Sequence, residues 1–316
     1  MDKKKTLKDI GDRQKTFDEI HERLKILSVG FRAIFADYRH HIEVIRDLEH
    51  DLTTIKKNIQ YRFFSARFHL ELFLRQHYII EDRIQKVYSE DPKKVLNPVY
   101  PSHPLIDHCE NEITAILDSI LFHLGSIFDY LSALVNFICN KKDRSITKWS
   151  QLLKACRDSK NQYFQRSIKE ILIEQNKNFV NKLYEYRSRV IHFRSDKSAG
   201  SISITLESGK TSANFIVPTA LTNKFHEIRI LAKNHDITAN YIAKWLINAT
   251  LNSIAEIFQG LRKEMQLNSN YPDHIGDNDL LMFHLDKETN IGHPVTKPMW
   301  EEFEKEYKKN ADNTTS

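Results

Sequence analysis

Glycine and proline are scarce, with 8 of each in 316 residues. Strand-rich folds need turn residues at short intervals, so this shortage argues against an all-β or doubly wound architecture and leaves a mostly helical one. Cysteine is scarcer still. Cys109, Cys139 and Cys156 lie far apart with no CxxC pair, which excludes a disulfide framework and predicts reduced thiols in a cytoplasmic protein. The opening MDKKKTLKDIGDRQ carries charge without a following apolar run, so no secretory signal is expected. The most apolar window, residues 113–138, contains Asp118, His123 and Asp129, which argues against a membrane span. GxxxxGK[ST], GxGxxG and GxSxG are all missing, and with them the commonest nucleotide-hydrolysing and hydrolase classes. The 15 histidines invite a metal, yet His40-His41 and His103-x4-His108-Cys109 lack a helical i,i+4 pair with a third ligand. No metal and no cofactor are expected.

Helical periodicity is abundant. Residues 12–88 carry it without a proline: Ile20, Leu24, Leu27, Phe31 and Ile34, then an aromatic set, Tyr61, Phe64, Phe68 and Leu72. Two long helices are predicted, with the aromatic stripe as core rather than as a platform for bases. Four prolines, Pro92, Pro98, Pro101 and Pro104, break the run and predict an extended connection. The strongest helix follows, with Ile113, Leu117, Ile120, Leu124, Phe128, Leu131, Val135 and Ile138 in nearly unbroken steps of three and four. Such a helix suits the centre of a bundle. A shorter helix near residues 145–156 leads to a helical segment over 164–193, whose core stripe is Phe179, Leu183, Tyr186 and Val190. Periodicity then switches to two: Ile202, Ile204 and Leu206 oppose Phe215 and Val217 across Ser208-Gly209, predicting a β-hairpin near residues 201–217. Two more helices are expected after it, the last capped by Asp236. The organisation read from these patterns is 1–90, long N-terminal helices; 103–265, a helical core with the hairpin; and 266–316, an acidic, partly disordered tail with an amphipathic piece around residues 300–307.

The formal net charge of +5 is unevenly spread. Residues 158–197 hold nine Lys/Arg against five Asp/Glu, while residues 264–316 hold five against eleven. A basic body of this kind attracts polyanions, and the acidic tail reads as a potential internal competitor for it.

The basic region contains YEYRSRVIHFRSDKS at the end of a helix. With 17 arginines and 15 histidines, an arginine followed closely by a histidine recurs by chance, as at Arg62 to His69 and Arg229 to His235. Context separates the candidates, because Arg187 alone is followed by a small polar residue, Ser188, where the other two have Phe63 and Ile230. The words YRSRVIHF, after a bundle helix reading HLGSIFDYLSALVN, resemble the HEPN superfamily (higher eukaryote and prokaryote nucleotide-binding domain), whose signature is arginine, a polar residue and then histidine. The resemblance spans roughly residues 55–265.

It implies an all-α, HEPN-like helical bundle, here with extra N-terminal helices and one small β-hairpin. It further implies a homodimeric, metal-independent endoribonuclease in a toxin or defence setting, with RNA as substrate and a neutralising protein as partner. Many members only bind or scaffold, which is the alternative expectation. The residues fit the chemistry: RNA carries its own nucleophile, so a site needs a proton carrier that titrates near neutrality and a permanent cation for the phosphorane. His192 is the expected proton carrier, Arg187 the phosphate stabiliser and Ser188 the hydrogen-bonding support. Arg189 and Arg194 are expected to hold the RNA backbone. Glu185 would pair with Arg189 or act on His192, and Asp129 would support an arginine or stand as an exposed acid. On an ideal helix His192 points away from the core stripe and about 140° from Arg187.

Overall fold

The computed structural model describes residues 5–7, 13–43, 45, 51–96, 104–140, 145–192, 201–207, 209–270, 283–285, 292–294 and 296–312. Its helices are α1 (Arg13–His41), α2 (Asp51–Glu90), α3 (Pro92–Leu96), α4 (Pro104–Cys139), α5 (Trp149–Arg157), α6 (Lys169–Gln175), α7 (Asn181–His192), α8 (Thr219–Thr222), α9 (His226–Leu231), α10 (Ala239–Leu267) and α11 (Thr296–Asp312). Short strands are β1 (Lys5–Leu7), β2 (Ser201–Glu207), β3 (Lys210–Ile216), β4 (His235–Ile237), β5 (Phe283–Leu285) and β6 (Gly292–Pro294). The chain is mostly helical, as its turn-poor composition predicts.

Two compact units divide it. The first comprises Met1–Phe17, Phe64–Gly125 and Asn178–Asn248; the second comprises Asp18–Phe63, Ser126–Lys177 and Ala249–Ser316. Their boundaries fall inside α2, α4 and α10, so the units are not the three consecutive segments that the sequence patterns suggest.

In the first unit, β2 and β3 form the expected hairpin, with Ile202 opposite Phe215 and Glu207 opposite Lys210. Gly209 sits in the two-residue turn at φ +80, in the left-handed region that favours glycine. Val217 lies beyond the hairpin and donates its amide to the Ile237 carbonyl at 2.9 Å. One stripe of α2 docks the outer strand. Glu81 accepts the Ala213 amide at 3.0 Å, Gln85 accepts the Thr211 amide at 2.6 Å, and His77 meets the Phe215 ring at 5.5 Å. Side-chain acceptors thus satisfy backbone donors that a free strand edge would leave open. Two three-residue pairings are additional to the predicted hairpin: β1 with β4 in parallel, and β5 with β6 antiparallel in the second unit. Asp236 belongs to β4 and does not cap α10; the Thr238 hydroxyl takes that place, accepting the Tyr241 amide at 3.4 Å.

The second unit packs Phe31, Ile34, Phe128, Leu131, Leu134, Phe258 and Leu261 into its core. Buried Glu264 accepts from Arg166 at 3.0 Å and from the Ser167 amide and hydroxyl at 3.0 and 2.7 Å, while Arg166 also donates to the Cys139 carbonyl at 2.6 Å. Such a charge is tolerable inside because its lone pairs are filled.

Two expectations need correction. The aromatic stripe Tyr61, Phe64 and Phe68 is exposed, at 59%, 57% and 47%, whereas Phe63, Ala66, Leu70 and Phe73 are the buried face. Within the proline-marked connection, residues 92–96 form α3 rather than extended chain; residues 97–103 lie outside the described set. Of the two expectations for the amphipathic piece of the tail, docking or a short isolated helix, docking is the one seen: Trp300 and Phe303 of α11 are buried, and the Trp300 indole donates to Asp37 at 2.7 Å.

α4 contains a stretch, Asp107–Cys139, long and apolar enough by length and composition to cross a membrane, but 72% of its most apolar window is buried inside the structure. That is the pattern of a bundle's central helix. All three cysteines are free and buried; burial pushes the Cys156 thiol up to about 12 and the Cys109 and Cys139 thiols upward as well. Native protein at pH 8 is therefore expected to leave Ellman's reagent uncoloured until denaturant is added. Trp300→Ala should lower the unfolding free energy by about 3–5 kcal/mol in urea titration; an unchanged midpoint would return α11 to the status of a loose tail.

Candidate nucleic-acid site on helix α7

α6, a π-helical turn over Asn176–Val180 and α7 follow one another without a break. Phe179, Leu183 and Tyr186 are buried, as the core stripe predicts, and Phe179 packs against Phe225 and Trp245 at 5.7 and 6.1 Å. This stripe fixes the rotation of α7 and so decides what its other faces present.

Arg187 is presented to α4 within the first unit. The Tyr184 hydroxyl donates to the Gly125 carbonyl at 3.0 Å, bringing the two helices close. A Cβ on Gly125 would lie 3.0 Å from Arg187 Cδ and 3.1 Å from its Nη1. Glycine is thus what leaves room for the arginine. The Arg187 guanidinium carbon lies 4.7 Å from the Phe122 ring centroid and 5.8 Å from that of Tyr184, a cation over aromatic rings. Its Nε is buried and has no hydrogen-bond partner among the described residues.

Ser188 is exposed. Arg189 and His192 lie on the last turns of α7, with side chains outside the described set, and Arg194 lies outside it altogether. The partners of Glu185 among the described residues are Lys224 and Asn181: each donates to its carboxylate at 2.6 Å, and the Lys224 hydrogen bond holds it below the usual carboxylate range. Asp129 belongs to the second unit, where it accepts the Trp149 amide at 3.1 Å at the start of α5 and lines a cavity of about 470 Å³ with Arg62, Tyr130 and Lys148.

The residues that sequence reasoning missed are Gly125 and Phe122. Gly125 left one signal: a glycine in the middle of the strongest helical pattern costs about 1 kcal/mol relative to alanine and usually has a packing reason. Compared with family models, with curated proteins and with solved structures, the chain finds no match.

Asp129→Ala removes a side-chain acceptor from the first turn of α5. A loss of about 1 kcal/mol in thermal unfolding is expected; no loss would show that the Trp149 amide finds another acceptor.

Proposed function

We propose that this chain is a metal-independent endoribonuclease of HEPN type, with Arg187, Ser188 and His192 as its working residues. The observation that carries the reading is the state of Arg187: a half-buried guanidinium, backed by Phe122, given room by Gly125, with a buried Nε lacking a partner among the described residues. A half-buried cation held over aromatic rings suits a phosphoryl oxygen, which brings the opposite charge to the open side of the guanidinium.

The chemistry follows from the RNA itself. The 2′-hydroxyl attacks the adjacent phosphorus as a base takes its proton, and the P–O5′ bond breaks as an acid protonates the leaving oxygen. The products are a 2′,3′-cyclic phosphate and a 5′-hydroxyl. His192 exchanges the proton, Arg187 holds the charge of the phosphorane and Ser188 hydrogen-bonds a phosphate oxygen. Arg187 and His192 stand about 140° apart on an ideal helix, so a homodimer, pairing the arginine of one chain with the histidine of the other, is part of the proposal. Arg189 and Arg194 would extend the contact along the backbone.

One observation favours a second reading, a non-catalytic binding module. The contact of Arg187 with Phe122 and Tyr184 would stabilise the α4–α7 packing even if no phosphate ever came.

The experiment is digestion of a mixed RNA pool in EDTA, read for cyclic phosphate ends. Cleavage is expected, abolished by His192→Ala and reduced about 100-fold or more by Arg187→Lys, which keeps the charge and loses the fork. Gly125→Ala is expected to retain the melting temperature and cut the rate about tenfold by displacing Arg187. Intact RNA with a folded protein assigns the binding-module reading, and undiminished cleavage by His192→Ala overturns the chemistry.

A further inference from the structure

The misassigned aromatics of α2 lead directly to Arg187. Phe64 and Phe68 stand one turn apart on the same face of α2 and are 57% and 47% exposed. From Phe68 a run of ring contacts crosses three helices. Phe68 meets His69 at 5.8 Å, His69 meets His123 of α4 at 5.1 Å, His123 meets Phe122 at 5.5 Å, and Phe122 lies under the Arg187 guanidinium of α7 at 4.7 Å. Phe122 is itself 40% exposed. Every residue of this run lies in the first unit.

A helix that needed rings only for its core would place them inside, as α2 does with Phe63 and Phe73, exposed by 1% and 0%. Here three further phenylalanines keep surface open to solvent, with Arg67 next to Phe68 in the chain and Arg187 over Phe122. Arg67 sits between Phe64 and Phe68 in the sequence, half-buried, with a buried Nε that lacks a partner among the described residues. The carboxylate of Glu71, one turn beyond Phe68, is paired with Arg75. His69 is anchored, its Nδ1 lying 2.7 Å from the Ser65 carbonyl. Flat apolar faces at intervals, with guanidinium groups among them, match the alternation of base and phosphate in an unpaired strand. A duplex offers no such match, because its bases are already stacked inside.

We infer that Phe64, Phe68 and Phe122 form a stacking platform that takes the bases of single-stranded RNA and leads the strand to Arg187, so that the site selects unpaired over duplex RNA. The inference rests on the ribonuclease reading, and its test separates the two. Binding is measured with His192→Ala protein, which that reading makes unable to cut. The probes are a fluorescein-labelled 12-nucleotide RNA of mixed sequence and the same strand annealed to its complement, followed by anisotropy.

The single strand is expected to bind more tightly than the duplex. Phe64→Ala combined with Phe68→Ala should weaken single-strand binding about tenfold or more, given the contribution of a stacked base, and leave duplex binding nearly unchanged. Phe64→Tyr with Phe68→Tyr should retain the affinity. Both residues are exposed, so the melting temperature is expected to stay within a few degrees of the parent. Unchanged single-strand affinity in the alanine variant overturns the platform, as does an equal loss for duplex or no single-strand binding at low salt. If the alanine variant instead turns a dimer into a monomer without changing affinity per protomer, the face is a subunit interface and the inference falls. Ring-dependent binding in a wild-type protein that cuts no RNA sinks the chemistry alone; ring-independent binding in one that does cut sinks the platform alone.

Discussion

In each unit, burial of the α4 side chains is the constraint on which the neighbouring elements depend. Ile120, Leu121 and Leu124 enter the first core, and Ile127, Phe128, Leu131, Leu134, Val135 and Ile138 enter the second. A repeat this continuous leaves the helix no freedom to rotate, because any turn about its axis would expose several large side chains at about 1.5–3 kcal/mol each. Its less apolar positions are therefore fixed as well. Gly125 faces α7, Asp129 meets the first amide of α5, and Asn136 accepts the Tyr163 hydroxyl at 3.0 Å.

Two arginines show how much the partner matters. Arg166 reaches Glu264 and the Cys139 carbonyl, and its charge is neutralised and hydrogen-bonded by the protein itself. It reads as structural, holding the 3₁₀ turn Gln162–Gln165 beside it to the end of α10. Arg187 has a ring beneath its guanidinium and the Cα of Gly125 beside its side chain, while the Gly125 carbonyl is taken by the Tyr184 hydroxyl. A ring attracts a cation through its quadrupole but fills none of its N–H groups. Its buried Nε has no hydrogen-bond partner among the described residues, where Arg166 has acceptors supplied by the protein. The contrast lies in the chemistry of the surroundings, since both residues are arginines on or beside helices.

Periodicity made the long helices, the central role of α4, the hairpin near residues 201–217 and the core stripe of α7 legible from the sequence. It failed where two phases compete. In YRFFSARFHLELF, Tyr61, Phe64 and Phe68 recur at helical spacing, but so do Phe63, Ala66, Leu70 and Phe73. Side-chain size favours the first set, and only tertiary packing selects the second. Of the site, Arg187 and Ser188 could be proposed because their identities carry chemistry. Gly125 acts through the absence of a side chain, and Lys224, which pairs with Glu185, and Trp149, which meets Asp129, lie 39 and 20 residues away, so no local pattern announces these two contacts.

The charge of α11 bears on how a polyanion would be met. Acidic residues at the chain's end invite the idea of an internal competitor for a basic site. In the second unit, however, Glu302 reaches Arg32 at 3.3 Å, Glu304 reaches Arg262 at 3.0 Å, and the Arg262 guanidinium lies 5.0 Å from the Trp300 ring. Two acids of the helix thus have local cationic partners, while its apolar face is anchored by Trp300 and Phe303. Removing everything after Met265 would take away part of a core together with the charge, so its effect on RNA binding could not be assigned to electrostatics. Glutamine at Glu302 and Glu304 isolates the charge, because the helix and its buried face remain. Exposed pairs of this kind contribute little to stability, and at moderate salt their field fades within about 10 Å. A change in RNA affinity in that variant would therefore have to come from acids that lie close to the bound strand.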